Sequence, residues 1–277
     1  MIESAAIIGL GLIGGSLARD LAARGVRVAA LDRDLRNVQM ARLDGVVQDL
    51  VVWGDETPIQ VDVVILAVPV LAAWDVMRIL GPHLQGVRLV TDVGSTKRSI
   101  MMAAAGQGIE ARFVGSHPLA GDHRSGWEAT RAGLFEGAPV YLTPSRSTEA
   151  DAVELARELW TMVGAVPQVM DAAEHDRRLA WASHLPQAAS TALARALAEA
   201  GVQRSDLGPG GRAVTRLAGS SPEIWADILV DNADEVSVAL ASMATHLSAI
   251  RDAIAAGDRD RLRALWAAGN QWHQESP

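Results

Sequence analysis

The sequence contains no cysteine, which excludes disulfides, zinc–thiolate sites and iron–sulfur clusters and leaves no mark of an oxidising compartment. It has no run of Lys or Arg longer than two and carries a formal charge of −8, so it lacks the clustered basic face that phosphate backbones require. Small-molecule chemistry is the expectation. Long apolar runs are missing as well: the longest nearly apolar stretch, Val61 to Trp74, contains Asp62 and is too short to span a bilayer. The opening MIESAA carries Glu3 and no basic region, so no secretory leader is expected. These absences predict a soluble cytoplasmic protein with neither nucleic-acid nor membrane partners. There is no internal repeat and no low-complexity tail, and only the last few residues are expected to fray.

What is present is 277 residues, 49% of them apolar, enough for one large or two ordinary domains with a substantial core. Short strands are predicted at Ala5 to Ile8 and Val26 to Leu31, with a helix from Leu12 to Ala23 between them. Val61 to Val68 and Val87 to Asp92 are near-continuous apolar runs of strand length, as expected where helices cover both faces of a parallel sheet. Further strand candidates lie at Arg112 to Val114, Val140 to Leu142 and Val166 to Met170, with a helix from Thr148 to Val163. The pattern predicts a doubly wound α/β sheet over residues 1–170. Beyond it the texture changes: Ala172 to Ala200 is Ala-rich and helical, Gly208 to Gly211 interrupts, and Pro222 onward is helical again. Residues 171–277 therefore read as a second, all-helical domain.

Gly9-Leu10-Gly11-Leu12-Ile13-Gly14 directly follows the first strand and opens a helix. Gly9 permits the tight turn, Gly11 lets backbone approach a pyrophosphate, and Gly14 lets helix pack on strand, while the helix N-terminus offers free N–H groups. Asp32 ends the second strand 18 residues past Gly14, where a carboxylate accepts hydrogen bonds from ribose hydroxyls. It would repel a 2′-phosphate, so NAD is favoured; Arg33 beside it could accept one, which keeps NADP open. The cofactor candidates are Gly9, Gly11, Leu12, Ile13, Gly14, Asp32, Arg33 and Val68, the last at the end of the 61–68 run.

A second motif, TDVGSTK from Thr91 to Lys97, falls at the carboxyl end of a predicted central strand, the edge where open α/β sheets bind ligands. Ser95 there is either a ligand-facing hydroxyl or a helix N-cap. Lys97 can hold an anion or begin the next helix. In Gly115-Ser-His-Pro-Leu-Ala-Gly121, His117 read from spacing alone is a loop or core histidine more readily than a base, and the flanking glycines suggest close backbone approach to a ligand. Histidine is the side chain whose unperturbed pKa lies near neutrality. His175 with Asp176 reads as surface or helix-start polarity.

The ordered series GLGLIGGS at the start, DVGSTK at Asp92, GSHPLAG at Gly115, SGWEA at Ser125, LFEGAPVYLTP at Leu134, SHLP at Ser183 and TRLAGSSPEIWADI at Thr215 resembles the prephenate dehydrogenase family, which includes arogenate and cyclohexadienyl dehydrogenases. The resemblance runs over nearly the whole chain. It implies an α/β Rossmann-type doubly wound sheet followed by an all-α dimerisation domain, a homodimer, and NAD-dependent oxidative decarboxylation of prephenate in tyrosine biosynthesis. His117 takes the role of base and Ser95 orients substrate and nicotinamide; no metal is required.

The resemblance places Arg216 at the substrate carboxylate, which its planar fork can bind bidentately. Arg212, four residues earlier, shares a face with it if the stretch is helical, or is a solvated surface arginine. His184 and Gln187, three apart on a predicted helix, would face the substrate side chain, and Trp225 sits near the pocket. Gln187 is a departure, since many family members have histidine there, and an amide cannot become cationic. Ala213 is another, in place of an acidic residue. His123 is read as exposed or near the cofactor. With the sequence ending at Pro277, feedback by tyrosine is expected at the active site itself. Rival readings are arogenate or dual specificity, a two-domain hydroxyacid or imine reductase, for which no motif supplies the usual central lysine, and a non-catalytic NAD-binding sensor.

Overall fold

The computed structural model describes residues 1–51, 58–84, 86–121 and 124–275. Its first part alternates strands and helices: β1 (Ser4–Ile8), α1 (Leu12–Ala22), β2 (Arg27–Leu31), α2 (Leu35–Leu43), β3 (Asp49–Leu50), β4 (Val63–Leu66), α3 (Val70–Leu80), β5 (Leu89–Asp92), α4 (Arg98–Gly106), β6 (Phe113–Pro118), β7 (Pro139–Pro144), α5 (Ala150–Met162) and β8 (Val166–Val169). These strands form one sheet in the order β3-β2-β1-β4-β5-β6-β7-β8. All neighbours pair in parallel except β6 and β7. From β1 the chain winds outward to β2 and β3, then returns to β4 on the other side. The carboxyl ends of β1 and β4 therefore flank a topological switch point, the place where open α/β sheets take ligands.

The continuous apolar runs are explained by the two cores they feed. Ile7, Val63 and Ile65 pack with Leu17, Leu21 and Trp160 on one face. Ile8, Val64 and Leu66 pack with Met77, Leu80 and Phe113 on the other. Alternate residues of one strand point to opposite faces, so a strand covered on both sides needs apolar side chains at every position.

The second part is helical: α6 (Ala172–Leu179), α7 (Leu185–Glu199), α8 (Pro209–Val214), α9 (Pro222–Asp231), α10 (Ala233–Ala255) and α11 (Arg259–Glu275). The helix expected over residues 172–200 is interrupted by a π turn, Ala180–His184. Pro186 supplies no N–H to the carbonyl of Ala182, four residues back, and the widened turn lies over this gap. Helix α9 packs on α3 and α6 packs on α4, so the helical part sits against the sheet part beside the carboxyl ends of its strands. Thr96 and Ser99 both donate to the Asp231 carboxylate, and Arg98 forms an ion pair with Asp234. The loop after β5 is thus tied to the α9–α10 junction. No described helix is long and apolar enough to cross a membrane.

Candidate active site

The glycine turn is built for a closely approaching ligand. Gly9 has φ +102°, and a Cβ there would lie 2.3 Å from the Ala67 carbonyl oxygen and 3.2 Å from Val68 Cγ1. A Cβ on Gly14 would lie 2.0 Å from the Gly9 oxygen, whereas one on Gly11 would meet nothing within 4 Å. Crowding at Gly9 and Gly14 fixes the turn; openness at Gly11 leaves room for a pyrophosphate. The N-terminus of α1 has no side-chain cap and no acidic residue in its first turn, so its N–H groups and dipole are available to an anion.

Leu12 is buried and Ile13 half-buried under this turn. Asp32, half-buried just past β2, accepts from Leu10 N at 2.6 Å and Asp34 N at 2.7 Å. Those bonds aim the carboxylate and leave lone pairs for further donors. Arg33 beside it is exposed. Glycine turn, uncapped helix and fixed carboxylate together fit a dinucleotide.

His117 is not in a loop. Strand β6 runs beyond the expected Val114 to Pro118, and its antiparallel pairing with β7 puts His117 opposite Tyr141. The side chain is only 8% exposed. Its Nδ1 lies 2.8 Å from His175 Nε2, and His175 Nδ1 lies 2.8 Å from Asp176 Oδ1. Asp176 also accepts from Lys97 N at 2.8 Å and from Arg98 N at 2.9 Å.

Burial pushes the His117 pKa well below 6.5, and the neighbouring His175, Lys97 and His184 act the same way. The His175 pKa is lowered too, by burial, against an upward pull from Asp176. Burial acts to raise Asp176, but the His175 hydrogen bond and the backbone N–H groups outweigh it and hold the carboxyl below its usual range. His117 is therefore a neutral imidazole wired to an ionised carboxylate.

The expectation that His175 and Asp176 are surface polarity is corrected by their burial, 0% and 1% exposed. Helix α6 starts at Asp171, whose side chain caps Ala173 N and Glu174 N. Its inward stripe is His175, Asp176 and Leu179, a helical spacing that could have flagged the pair.

Lys97 begins α4, one of its two expected places, but its side chain is fully buried. Its Nζ pairs with the Asp92 carboxylate and donates to Ser116 O at 2.8 Å, so it is not offered to an anion. Ser95 lies half-buried in the bend between β5 and α4; α4 has no side-chain cap, which removes the capping role. Gly115 and Gly121 answer to protein packing. A Cβ on Gly115 would meet Thr143 Oγ1 at 2.5 Å, and one on Gly121, φ +123°, would meet Ile13 Cδ1 at 3.2 Å.

From the helical part, the π turn places His184, 1% exposed, with Nδ1 3.2 Å from Asn232 Nδ2 and its ring edge-on to Trp225 at 6.0 Å. Burial lowers its pKa to about 4. The Asn232 amide donates to Asp176 O at 2.8 Å and accepts from Arg98 Nη2 at 2.9 Å. Its second N–H therefore goes to His184 Nδ1, so His184 presents a donor at Nε2.

Gln187 is buried, and its amide donates to Leu217 O at 2.8 Å while accepting from Ser220 Oγ at 3.4 Å. It grips the 3₁₀ turn Arg216–Gly219 that carries Arg216. Arg216 is exposed, without an ion pair among the described residues. The shared helical face expected for Arg212 and Arg216 does not form, because α8 stops at Val214. Arg212 instead donates through Nε to Leu207 O at 2.8 Å. His123 lies outside the described residues.

A switch-point glycine turn with a fixed carboxylate, on the same sheet edge as a neutral histidine where a helical part meets the sheet, defines a two-domain dinucleotide-linked dehydrogenase. Comparison with known proteins narrows the class. Residues 17–169 match the family model described as prephenate dehydrogenase, nucleotide-binding domain, and residues 171–268 match prephenate dehydrogenase, dimerization domain. The chain is 34% identical to the cyclohexadienyl dehydrogenase of Zymomonas mobilis, covering 93% of this chain and 90% of that protein. It is 32% identical to the prephenate dehydrogenase of Bacillus subtilis, over 100% of this chain and 77% of the relative. Among solved structures, the prephenate dehydrogenase from A. aeolicus in complex with hydroxyphenyl propionate and NAD⁺ superposes with a TM-score of 0.87 at 27% identity, covering 99% and 98% of the two chains. The chain belongs to the prephenate dehydrogenase family.

Proposed function

We propose that this protein oxidatively decarboxylates prephenate to 4-hydroxyphenylpyruvate in tyrosine biosynthesis, with NAD as hydride acceptor. The observation that carries the chemistry is His117, a buried neutral imidazole at the carboxyl end of β6. Bound NAD supplies the acceptor for the hydride leaving the ring carbon that bears the hydroxyl. As that hydride departs, His117 takes the hydroxyl proton, with Ser95 orienting the oxygen. The resulting carbonyl draws the electrons of the ring carboxylate bond, carbon dioxide leaves, and aromatisation supplies the driving force.

Gly9, Gly11 and Gly14 hold the pyrophosphate, Leu12, Ile13 and Val68 line the approach, and Asp32 takes the ribose hydroxyls and disfavours NADP despite Arg33. Residues 1–170 bind the cofactor, while residues 171–277 bind the substrate carboxylates and the second subunit. Exposed Val230, Val238, Leu247, Ile254 and Trp266 on α9 to α11 give the helical part an apolar surface suited to a homodimer contact. The setting is the cytoplasm.

Arg216, exposed and without an ion pair among the described residues, is the cation for a substrate carboxylate, with His184 Nε2–H as a further, neutral donor from the helical part. Arg216→Ala is expected to raise KM for prephenate about 10- to 100-fold, the range for one charge-assisted hydrogen-bonded pair, with kcat little changed. A normal KM removes Arg216 from the pocket.

Dual specificity is the second reading, favoured by the cyclohexadienyl relative and by Gln187, whose amide is spent on the Arg216 turn and places no cation at the side-chain end of the site. Steady-state rates with prephenate and arogenate, each with NAD and NADP, decide. We expect the highest kcat/KM for prephenate with NAD. Preference for arogenate overturns the substrate, preference for NADP overturns the role of Asp32, and no turnover in any combination overturns the enzyme reading.

A further inference from the structure

The chain Asp176–His175–His117 has only one proton arrangement at neutral pH. An ionised Asp176 accepts from Lys97 N, Arg98 N and Arg98 Nε, so it can only accept from His175 as well. The hydrogen between them therefore sits on His175 Nδ1. A neutral His175 then has a bare Nε2, and the hydrogen in the 2.8 Å contact to His117 must sit on His117 Nδ1. His117 is left with an unprotonated Nε2.

We propose that Asp176 and His175 are positioning residues that lock His117 in the Nδ1–H tautomer, so that its Nε2 lone pair is the one offered to the substrate hydroxyl. This rests on the reading of His117 as the base. In the reaction the hydroxyl proton moves to His117 Nε2, and the Nδ1 proton shifts to His175 Nε2, so the new positive charge settles next to the Asp176 carboxylate. One proton enters at His117 Nε2, one moves on to His175, and the hydride with its electron pair goes to the nicotinamide. As carbon dioxide leaves and the ring aromatises, its oxygen becomes a phenolate that takes the proton back from His117 Nε2, and the reverse shift from His175 to His117 Nδ1 resets the relay.

The surroundings suit a relay that stays neutral at rest. The pair is faced by the Lys97–Asp92 ion pair, by His184, and by Tyr141, whose ring meets His175 edge-on at 5.7 Å and carries the Arg178 guanidinium over its face at 5.9 Å. The lysine opposes a second positive charge at the histidines, while Asp92 and Asp176 favour one on His175.

The first test needs no substrate: ¹⁵N NMR of the histidine rings in the wild-type protein, with His117 signals assigned by their loss in His117→Asn. The expected result is a protonated Nδ1 and a bare Nε2 at pH 7; a protonated Nε2 overturns the proposal. The kinetic test compares His175→Gln with His175→Phe. Gln can accept the His117 Nδ1–H through its side-chain oxygen but cannot carry a proton onward, and Phe can do neither. The Phe variant should lose about 10²- to 10⁴-fold in kcat with KM nearly constant, the range for a mispositioned general base, and Gln should recover part of it. Wild-type kcat in the Phe variant overturns the role. Should that variant fail to fold, the tautomer of the wild type still decides. A wild-type enzyme inactive on prephenate would overturn the reaction and leave the tautomer result standing, so the two failures are distinguishable.

Discussion

His117→Asn is expected to lower kcat for prephenate by at least about 10²-fold, and up to about 10⁴-fold, while the dissociation constant for NAD stays within about twofold. Asparagine keeps a donor that can reach His175 Nε2, so the buried contact at the end of β6 survives in kind. What it lacks is a basic nitrogen. The hydroxyl proton then has no acceptor as the hydride leaves, and the loss falls on the transition state, so kcat and kcat/KM drop together. The proposed NAD-binding turn follows β1, a separate element, and titration calorimetry with NAD checks that half of the prediction. Unchanged turnover would remove His117 from the chemistry.

The same residue sets a pH expectation. A base works in its unprotonated form, and burial moves the His117 pKa well below 6.5, so the acid limb of the wild-type kcat/KM profile should lie below pH 6.5. A limb at or above that value would mean that a different group limits the reaction.

How much of this the sequence revealed depends on how local each signal is. β1 and β4 are legible because both faces of each are covered, which forces residues such as Ile7, Ile8, Ile65 and Leu66 to be apolar in succession. Gly9 and Gly14 are legible because turn, helix and strand lie within one short segment. β6 is legible only at its start, Phe113-Val114: Gly115-Ser-His-Pro has no strand-like composition, and the extension is imposed by pairing with residues 140–144 of β7. The π turn under His184 arises from a missing donor at Pro186, a backbone effect that hydrophobic spacing does not report.

The largest omission is the histidine relay, which joins residues 58 apart in sequence. Adjacent polar residues near a helix start read as solvated by default, and only the inward stripe through Leu179 argued otherwise. Gln187 stands out in the sequence only through the resemblance, as a departure from histidine. Its observed work, holding the Arg216 turn through Leu217 and Ser220, depends on a contact with a segment some 30 residues away.

Lys97→Met is expected to destabilise the fold by about 3–5 kcal/mol, the usual result of removing one partner from a buried ion pair. Lys97 is completely buried and Asp92 is 3% exposed, so the variant leaves a carboxylate in the interior with its cation gone. Asp92 keeps hydrogen bonds from Gly94 N at 2.8 Å and Ser116 N at 3.0 Å, which soften the loss without neutralising the charge. Burial lowers the Lys97 pKa while Asp92, Asp176 and Asp231 pull it up; the partners and the lysine stabilise one another. At roughly 2–4 °C per kcal/mol for a chain of this size class, Tm should fall by about 6–20 °C.

Function should suffer with stability, because Lys97 also holds Ser116 O, the carbonyl immediately before His117. The control is the double variant Asp92→Asn with Lys97→Met, in which no charge is stranded. It should regain most of the lost Tm, since removing both partners of a buried pair is far less costly than removing one. Its kcat should stay depressed, because the strap across Ser116 remains cut. Scanning calorimetry on the three proteins reads the first half and steady-state kinetics at a temperature below all three transitions reads the second. A single variant as stable as wild type would show that the pair contributes nothing to folding, and a double variant with full kcat would show that β6 holds His117 in place without it.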